Sequence, residues 1–250
     1  MTKQIIVYKC ADRSYDFSFY PSFFPSAAFT PRCVWLSHDG RARARGWQAQ
    51  TVDVGDGPTS GKDFNRYCKF LPHQLLPECT VSIYVDGNVQ IAPHATAEIE
   101  AFLESGADIA LMAHALRHTI SDEIAACRQT AKLSPEAETF ARNRLDQYHA
   151  EGLLASAPVY YGGVLMRRHQ RPALENAMRD WAREYTDGVT RDQISLPYVL
   201  WRNGVTIHLM TCSYVDPFGP FFAHRHKKQR WLSDLNQKRK ILQSARARDR

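Results

Sequence analysis

The stretch of this 250-residue chain best placed for chemistry is Asp86-Gly87-Asn88, which follows the apolar run Val81-Ser82-Ile83-Tyr84-Val85. Residues two apart in an extended chain point the same way. Asp86 and Asn88 can therefore present oxygens to one point, and Gly87 removes the side chain between them. Hard oxygen ligands of this kind suit Mn2+ or Mg2+ bridging a diphosphate. The same triplet is also an ordinary tight-turn sequence.

A second trio, Arg191-Asp192-Gln193, offers a cation, a carboxylate and an amide that can clamp sugar hydroxyls. Asp192 could act there as a base or stabilise positive charge developing at a sugar carbon. The alternative is a helix start, with Thr190 and Gln193 forming a capping box. Arg66 and Lys69 lie three apart on one helical face and could neutralise phosphates, or form a solvated face. His118 precedes Thr119-Ile120-Ser121-Asp122 and could meet phosphate or sugar oxygens at a helix start, or belong to a capped loop. Tyr8 and Asp39 close the first two strands, where stacking on a base and bonding its edge are possible; core packing is the alternative for Tyr8. His224 could complete a metal site with Asp86 and Asn88, or lie on the surface. Gly162-Gly163 lacks the spacing of a phosphate loop, and no Walker loop, dinucleotide fingerprint or serine-hydrolase elbow is present.

These positions need a scaffold. Strands are expected at Gln4–Cys10, Cys33–Ser37, Trp47–Val54, Thr80–Val85, Asp108–Ala113, Val159–Met166 and Val205–Cys212. Helices are expected at Lys62–Leu71, Ala95–Ser105, Asp122–Ala150 with a break near Pro135, Arg171–Tyr185, Asp192–Arg202 and Trp231–Ser244. The alternation argues for an α/β fold with a mixed, mainly parallel sheet flanked by helices. Ligands of such sheets bind beyond the carboxyl ends of the strands.

Charge divides the chain. Four Lys and six Arg against Asp234 and Asp249 give residues 224–250 a balance of +8, so the net +6 leaves residues 1–223 at −2. The expected organisation is a domain over 1–223 and a basic helical tail over 224–250. The tail could contact an anionic membrane surface, nucleic acid or an acidic polymer. The body lacks the charge of a nucleic-acid-binding domain, and no specific nucleic-acid partner is expected. The six cysteines have no C-x-x-C spacing and read as buried free thiols. With no signal-like start and no apolar run of about 20 residues, a cytoplasmic protein is expected, peripheral to a membrane if the tail binds one.

The blocks Asn65-Arg66-Tyr67-Cys68-Lys69-Phe70-Leu71-Pro72-His73 and Ser82-Ile83-Tyr84-Val85-Asp86-Gly87-Asn88 resemble a glycosyltransferase family. It was formerly a domain of unknown function and includes the plant mucilage-related and turgor-regulation-defect proteins. Arg191-Asp192-Gln193-Ile194-Ser195 with Leu196-Pro197-Tyr198-Val199-Leu200-Trp201 resembles its most distinctive motif. His118 with Asp122-Glu123, and Ile6-Val7-Tyr8 with Ser14-Tyr15-Asp16, are similar as well. The resemblance spans roughly 4–205 and implies a GT-A-like fold. It also implies a nucleotide-sugar donor, a UDP-sugar favoured, a glycan or other hydroxyl acceptor, and a divalent metal. Catalysis then falls to Asp192 and Gln193. Donor or substrate binding falls to Tyr8, Asp39, Arg66, Lys69, Asp86, Gly87, Asn88, His118 and Arg191. One departure is Asn88, which stands where many GT-A enzymes have a second carboxylate. It keeps open a non-catalytic carbohydrate- or nucleotide-binding module on the same fold. A basic-tail protein associated with membrane or nucleic acid is the third reading.

Overall fold

The computed structural model describes residues 4–10, 20–41, 45–59 and 61–224. The Ser14-Tyr15-Asp16 segment, the expected helix Trp231–Ser244 and all of the tail beyond His224 lie outside these residues.

Two β-branched or aromatic-rich runs, β1 (Ile5–Cys10) and β2 (Arg32–Ser37), and the polar β3 (Gln48–Thr51) open the sheet. After α1 (Gly61–Phe70) and the single turn α2 (Pro72–Leu75) come β4 (Val81–Val85) and β5 (Val89–Ile91). Next are α3 (Ala95–Ser105), β6 (Ile109–Ala113), α4 (Ile120–Gln129), α5 (Pro135–Ala150) and β7 (Tyr160–Arg168). The described chain ends with α6 (Pro172–Thr186), α7 (Asp192–Arg202), β8 (Ile207–Leu209) and β9 (Phe221–Ala223).

Seven strands form one sheet in the order β3-β2-β1-β4-β7-β6-β8. Every neighbouring pair is parallel except those made by β7, which runs antiparallel to both β4 and β6. The expected mixed, mainly parallel α/β sheet is therefore the observed one. The short β5 and β9, which hydropathy alone did not signal, pair as a separate antiparallel ribbon.

Strand alternation splits the core in two. Ile6, Tyr8, Tyr84, Leu111 and Leu165 point to the side covered by α1 and α4 to α7. Val7, Ile83, Val85, Met112 and Val164 point to the other, under α3 and the β5–β9 ribbon. Because both faces are covered, the central strands are apolar throughout.

The long helical run breaks where expected. Ser134 caps α5, accepting from the Ala137 amide at 3.2 Å, with Pro135 next. Thr119 and Asp122 form a reciprocal capping box on α4. Gly106 ends α3 at φ 71°, a left-handed backbone that suits glycine. No two of the six cysteines are bonded, and four are buried. No helix among the described residues is long and apolar enough to cross a membrane.

Tyr8 is a correction to its expected base-stacking role. It is sealed in the core, with its hydroxyl donating to the Cys68 carbonyl at 3.1 Å and accepting from Arg167 Nη2 at 2.6 Å. Burial pushes the phenol above its usual range, so it remains a donor. Arg167 also donates to the Lys69 carbonyl at 2.6 Å, tying β7 to α1 and β1. Tyr8→Phe strands these partners and should lower unfolding free energy by about 1–3 kcal/mol, measured by urea denaturation.

Candidate active site

The carboxyl end of β4, the start of β7 and the start of α7 meet at an open cleft of ≈ 490 Å³. Its walls include Arg66, Lys69, Asp86, Asn88, Arg191, Asp192, Gln193 and His224, all singled out from sequence. Folding brings Asp86 and Asp192 to one cavity from opposite halves of the chain.

Asp192, the first residue of α7, is 3% exposed yet ionised. Lys69 Nζ, itself 1% exposed, pairs with Oδ2, and Arg66 Nη2 reaches Oδ1 at 3.3 Å. Burial alone would raise the carboxyl pKa; Arg66, Lys69 and Arg191 outweigh it and hold Asp192 well below the usual carboxylate range. Both oxygens are engaged and the neighbouring cations hold its basicity down, which argues against the proton-accepting base considered from sequence. A fixed negative charge is what it offers. The Trp181 indole N–H bonds the Asp192 carbonyl at 2.8 Å, and its ring lies 5.4 Å from Lys69 Nζ.

A hydrogen-bonded chain runs from here to the other carboxylate. Arg66 Nη1 donates to Asn65 Oδ1 at 2.6 Å, and Asn65 Nδ2 donates to the Tyr84 hydroxyl at 3.1 Å. That hydroxyl in turn donates to Asp86 Oδ1 at 2.5 Å. The solvated-face alternative for Arg66 and Lys69 is therefore replaced by a buried, paired one. The reason is that α1 packs against the sheet with the Asn65 and Lys69 face inward.

The Asp86-Gly87-Asn88 turn has a support that its own sequence does not reveal. Lys9, fully buried beneath it, donates to the Gly87 carbonyl at 3.2 Å and the Val89 carbonyl at 2.7 Å. Gly87 is held by this bond and is not among the cleft walls. Asn88 Nδ2 donates to the His224 carbonyl at 2.6 Å, and the His224 amide donates to the Asn88 carbonyl at 3.0 Å. The β5–β9 pairing thus places His224 beside Asn88. Asp86 and Asn88 offer a carboxylate and an amide oxygen, hard ligands of the kind that suit Mn2+ or Mg2+, while the His224 imidazole Nε2 lies 2.9 Å from Gln90 Oε1. Among the described residues no three His, Cys, Asp or Glu side chains gather as a metal cluster. A cation there would draw on Asn88 and on ligand oxygens as well.

Two expected residues stand apart from the cleft. His118 is exposed, and its backbone amide joins the α4 cap, donating to Asp122 Oδ2 at 3.1 Å. Asp39 lies in an exposed turn after β2, where Oδ1 accepts from the Arg41 amide at 3.3 Å. Neither is among the cleft walls. The Thr190–Gln193 capping box does not form. The cap position falls on Arg191, and Gln193 Nε2 instead donates to the Tyr160 carbonyl at 3.1 Å, docking α7 on β7.

Sequence reasoning missed His114, Arg117, Lys132, Tyr161 and Tyr214 on the walls, and it set aside Gly162-Gly163. The pair sits where β7 slips register against β6, a bulge that bends the strand beside the cleft. A Cβ on Gly162 would lie 2.8 Å from Lys69 Nζ and 3.3 Å from Asp192 Oδ2. Glycine inside a strand was the one available signal.

Two outcomes follow from this geometry. Gly162→Ala should push the Lys69–Asp192 pair apart and cost about 1–3 kcal/mol of stability, read from the denaturation midpoint. For Lys9, burial lowers the pKa from 10.5 to about 7 despite Asp86. The unfolded chain then binds the extra proton between those values, so the Lys9 contribution to stability rises with pH from about 7 to 10.5. Lys9→Met should flatten that rise, by at most about 1.4 kcal/mol per pH unit.

A family model described as "TOD1/MUCI70, glycosyltransferase-like domain" matches residues 51–214, well over half of the chain. The match contains both Asp86 and Asp192, and it omits β1, β2 and His224. No curated protein matches. Among seven matching solved chains is mouse xyloside xylosyltransferase 1 in its apo form, 16% identical, with a TM-score of 0.38. That likeness covers 62% of this chain and 55% of the other, so this chain spans little more than half of that one's length.

Proposed function

The chain belongs to the TOD1/MUCI70 glycosyltransferase-like domain family, and we propose that its cleft transfers a sugar from a nucleoside diphosphate donor to a hydroxyl of a glycan or related acceptor. A UDP-sugar is the favoured donor. The observation that carries this reading is the convergence of Asp86 and Asp192 on one cleft, with Arg66 and Lys69 beside them.

In this reading the turn side of the cleft takes the diphosphate. Asp86 and His224, with Asn88, would hold Mn2+ or Mg2+, which neutralises charge on the departing phosphate. Arg66, held by Asn65 and Asp192, is able to share its guanidinium with a phosphate oxygen. Asp192 supplies a fixed negative charge toward the sugar carbon as positive charge develops there. Gln193 and Arg191 orient sugar hydroxyls through amide and guanidinium hydrogen bonds. Lys9 and Tyr84 hold the Asp86 turn in place before any ligand arrives, so less ordering accompanies binding.

One observation favours the second reading, a binding module without turnover. Both Asp192 oxygens are already engaged, and the Asn88 amide is committed to the His224 carbonyl. The two readings separate in a single set of measurements. UDP at 100 times its Kd should stabilise the fold by about 2.7 kcal/mol, a rise of several degrees in Tm that grows with Mn2+ and shrinks in Asp86→Asn. Hydrolysis or transfer from a panel of UDP-sugars marks the enzyme, and binding without turnover marks the module. Absence of any shift with every nucleoside diphosphate, with and without metal, contradicts both.

Asp192→Asn should reduce turnover at least about 100-fold. It also leaves Lys69 buried beside a neutral amide, at about 3–5 kcal/mol. Circular dichroism and Tm must therefore accompany the rate, and Gln193→Ala, which leaves the ion pair intact, provides the second measurement.

A further inference from the structure

We propose that Arg117, Lys132 and Arg191 form a second anion subsite in the cleft, one that takes the carboxylate or sulfate of an acidic acceptor glycan. This rests on the donor reading above and adds the chemical class of the acceptor.

The charges in the cleft are not evenly balanced. Toward α1 and the Asp86 turn, Arg66 and Lys69 face Asp86 and Asp192, two cations for two carboxylates. Toward the end of β6 and the α4–α5 turn, Arg117, Lys132 and Arg191 gather about one buried carboxylate, Glu123, with Arg191 also acting on its chain neighbour Asp192. Arg117 Nε lies 3.2 Å from Glu123 Oε2, and Arg191 Nη2 lies 3.5 Å from Glu123 Oε1. Glu123 is 0% exposed and not among the cleft walls, so it holds the two guanidiniums from behind, while Arg191 Nη2 also donates to Gln193 Oε1 at 3.3 Å. The Cys127 thiol donates to the same Oε1 at 3.0 Å, spending more of that carboxylate. Lys132 reaches the cleft from the α4–α5 turn, and no carboxylate is paired with it among the described residues.

Arg117 also acts on His114. Burial and then Arg117 hold His114 down at about 4. His114 therefore stays neutral, with Arg117 Nη1 at 2.6 Å from its Nε2. An anion placed among Arg117, Lys132 and Arg191 relieves this crowding, and guanidinium forks match the two oxygens of a carboxylate or sulfate.

The wall beside these cations suits a sugar ring. Tyr161, half-buried in the cleft, stacks on Tyr214 with ring centroids 3.8 Å apart and planes at 10°. Leu116 stands 72% exposed at the rim. An aromatic body next to fixed cations offers apolar contact for the ring and charge-assisted hydrogen bonds for its acidic group. Arg117 follows the end of β6, which stands two places from β4 in the sheet with β7 between them, and this offset from the Asp86 turn favours the acceptor over the donor diphosphate.

The test uses Lys132→Gln and Arg117→Gln, singly and together, with the full chain. Calorimetry measures UDP with Mn2+. Transfer from an active UDP-sugar is then measured to neutral, carboxylated and sulfated oligosaccharides of equal length. The expected result is unchanged UDP affinity and unchanged KM for the neutral acceptor. KM for an acidic acceptor rises about tenfold or more, and its salt dependence falls. A rise confined to the carboxylated or to the sulfated acceptor identifies which acidic group binds, and a rise for both identifies a shared anion site. Weaker UDP binding in the variants would assign the cluster to the donor and overturn the proposal, as would equal use of neutral and acidic acceptors by the unaltered chain. Direct titration with the oligosaccharides decides the subsite even where no UDP-sugar turns over. Salt-sensitive binding of the acidic one, lost in the variants, supports it, and no binding or equal binding of the neutral one overturns it. Lys132 is exposed, so Lys132→Gln keeps the test sound if Arg117→Gln, which leaves Glu123 half-paired, lowers stability.

Discussion

A carboxylate removed from water has to be matched by cations at contact distance, and in this fold that requirement falls on Asp192. Its partners, Lys69 and Arg66, come from α1, more than a hundred residues earlier in the chain. Lys69 is as buried as Asp192, so removing the carboxylate leaves the lysine without its partner in the core. The pair fixes where the start of α7 stands against α1. Other parts of the site adjust to it. Gly162 has no side chain because that space is filled by the ion pair, and Trp181 bonds the Asp192 carbonyl from α6. The Arg66–Asn65–Tyr84 chain then carries the same alignment to Asp86.

A second buried lysine, Lys9, does for the Asp86 turn what Lys69 does for α7. It reaches up from β1 and binds two carbonyls of the neighbouring connection, and its side chain lies 5.3 Å from the Trp47 ring centre. An Asp-Gly-Asn turn in solution would sample several conformations. Here the turn is held from below by Lys9 and from the side by the β5–β9 ribbon. Rigid support beneath a polar loop is the usual way a scaffold keeps its ligand groups in place without the ligand.

Much of the fold was legible because strand and helix periodicities are local properties. The apolar runs at β1, β4 and β6, the capped start at Ser134-Pro135 and the stop at Gly106 carry their own signals. The antiparallel course of β7 and the three-residue strands β5 and β9 carry none. Their pairing depends on partners remote in sequence, and Phe221-Phe222-Ala223 is too short for alternation to show. The site divided along the same line. Asp86, Asn88, Arg191, Asp192, Gln193, Arg66, Lys69 and His224 do share one cleft. Tyr8 was misread because a strand-end tyrosine looks the same in sequence whether it faces a ligand or the core. His118 was noticed for its place before a helix, yet the wall was built by its neighbours His114 and Arg117.

By itself, the sequence determined the layered α/β arrangement, the strand-end position of Asp86 and the residue types able to bind phosphate and sugar. These follow from hydropathy, periodicity and side-chain chemistry, which need no partner. Tertiary structure alone decided which charges are paired. It turned Asp192 from a possible base into a fixed charge, because Lys69 and Arg66 occupy both of its oxygens. It buried Glu123 behind Arg117 and Arg191 and so left an excess of positive charge on one wall. Coulomb energy depends on distance and burial, and neither is written in the spacing of residues along a chain.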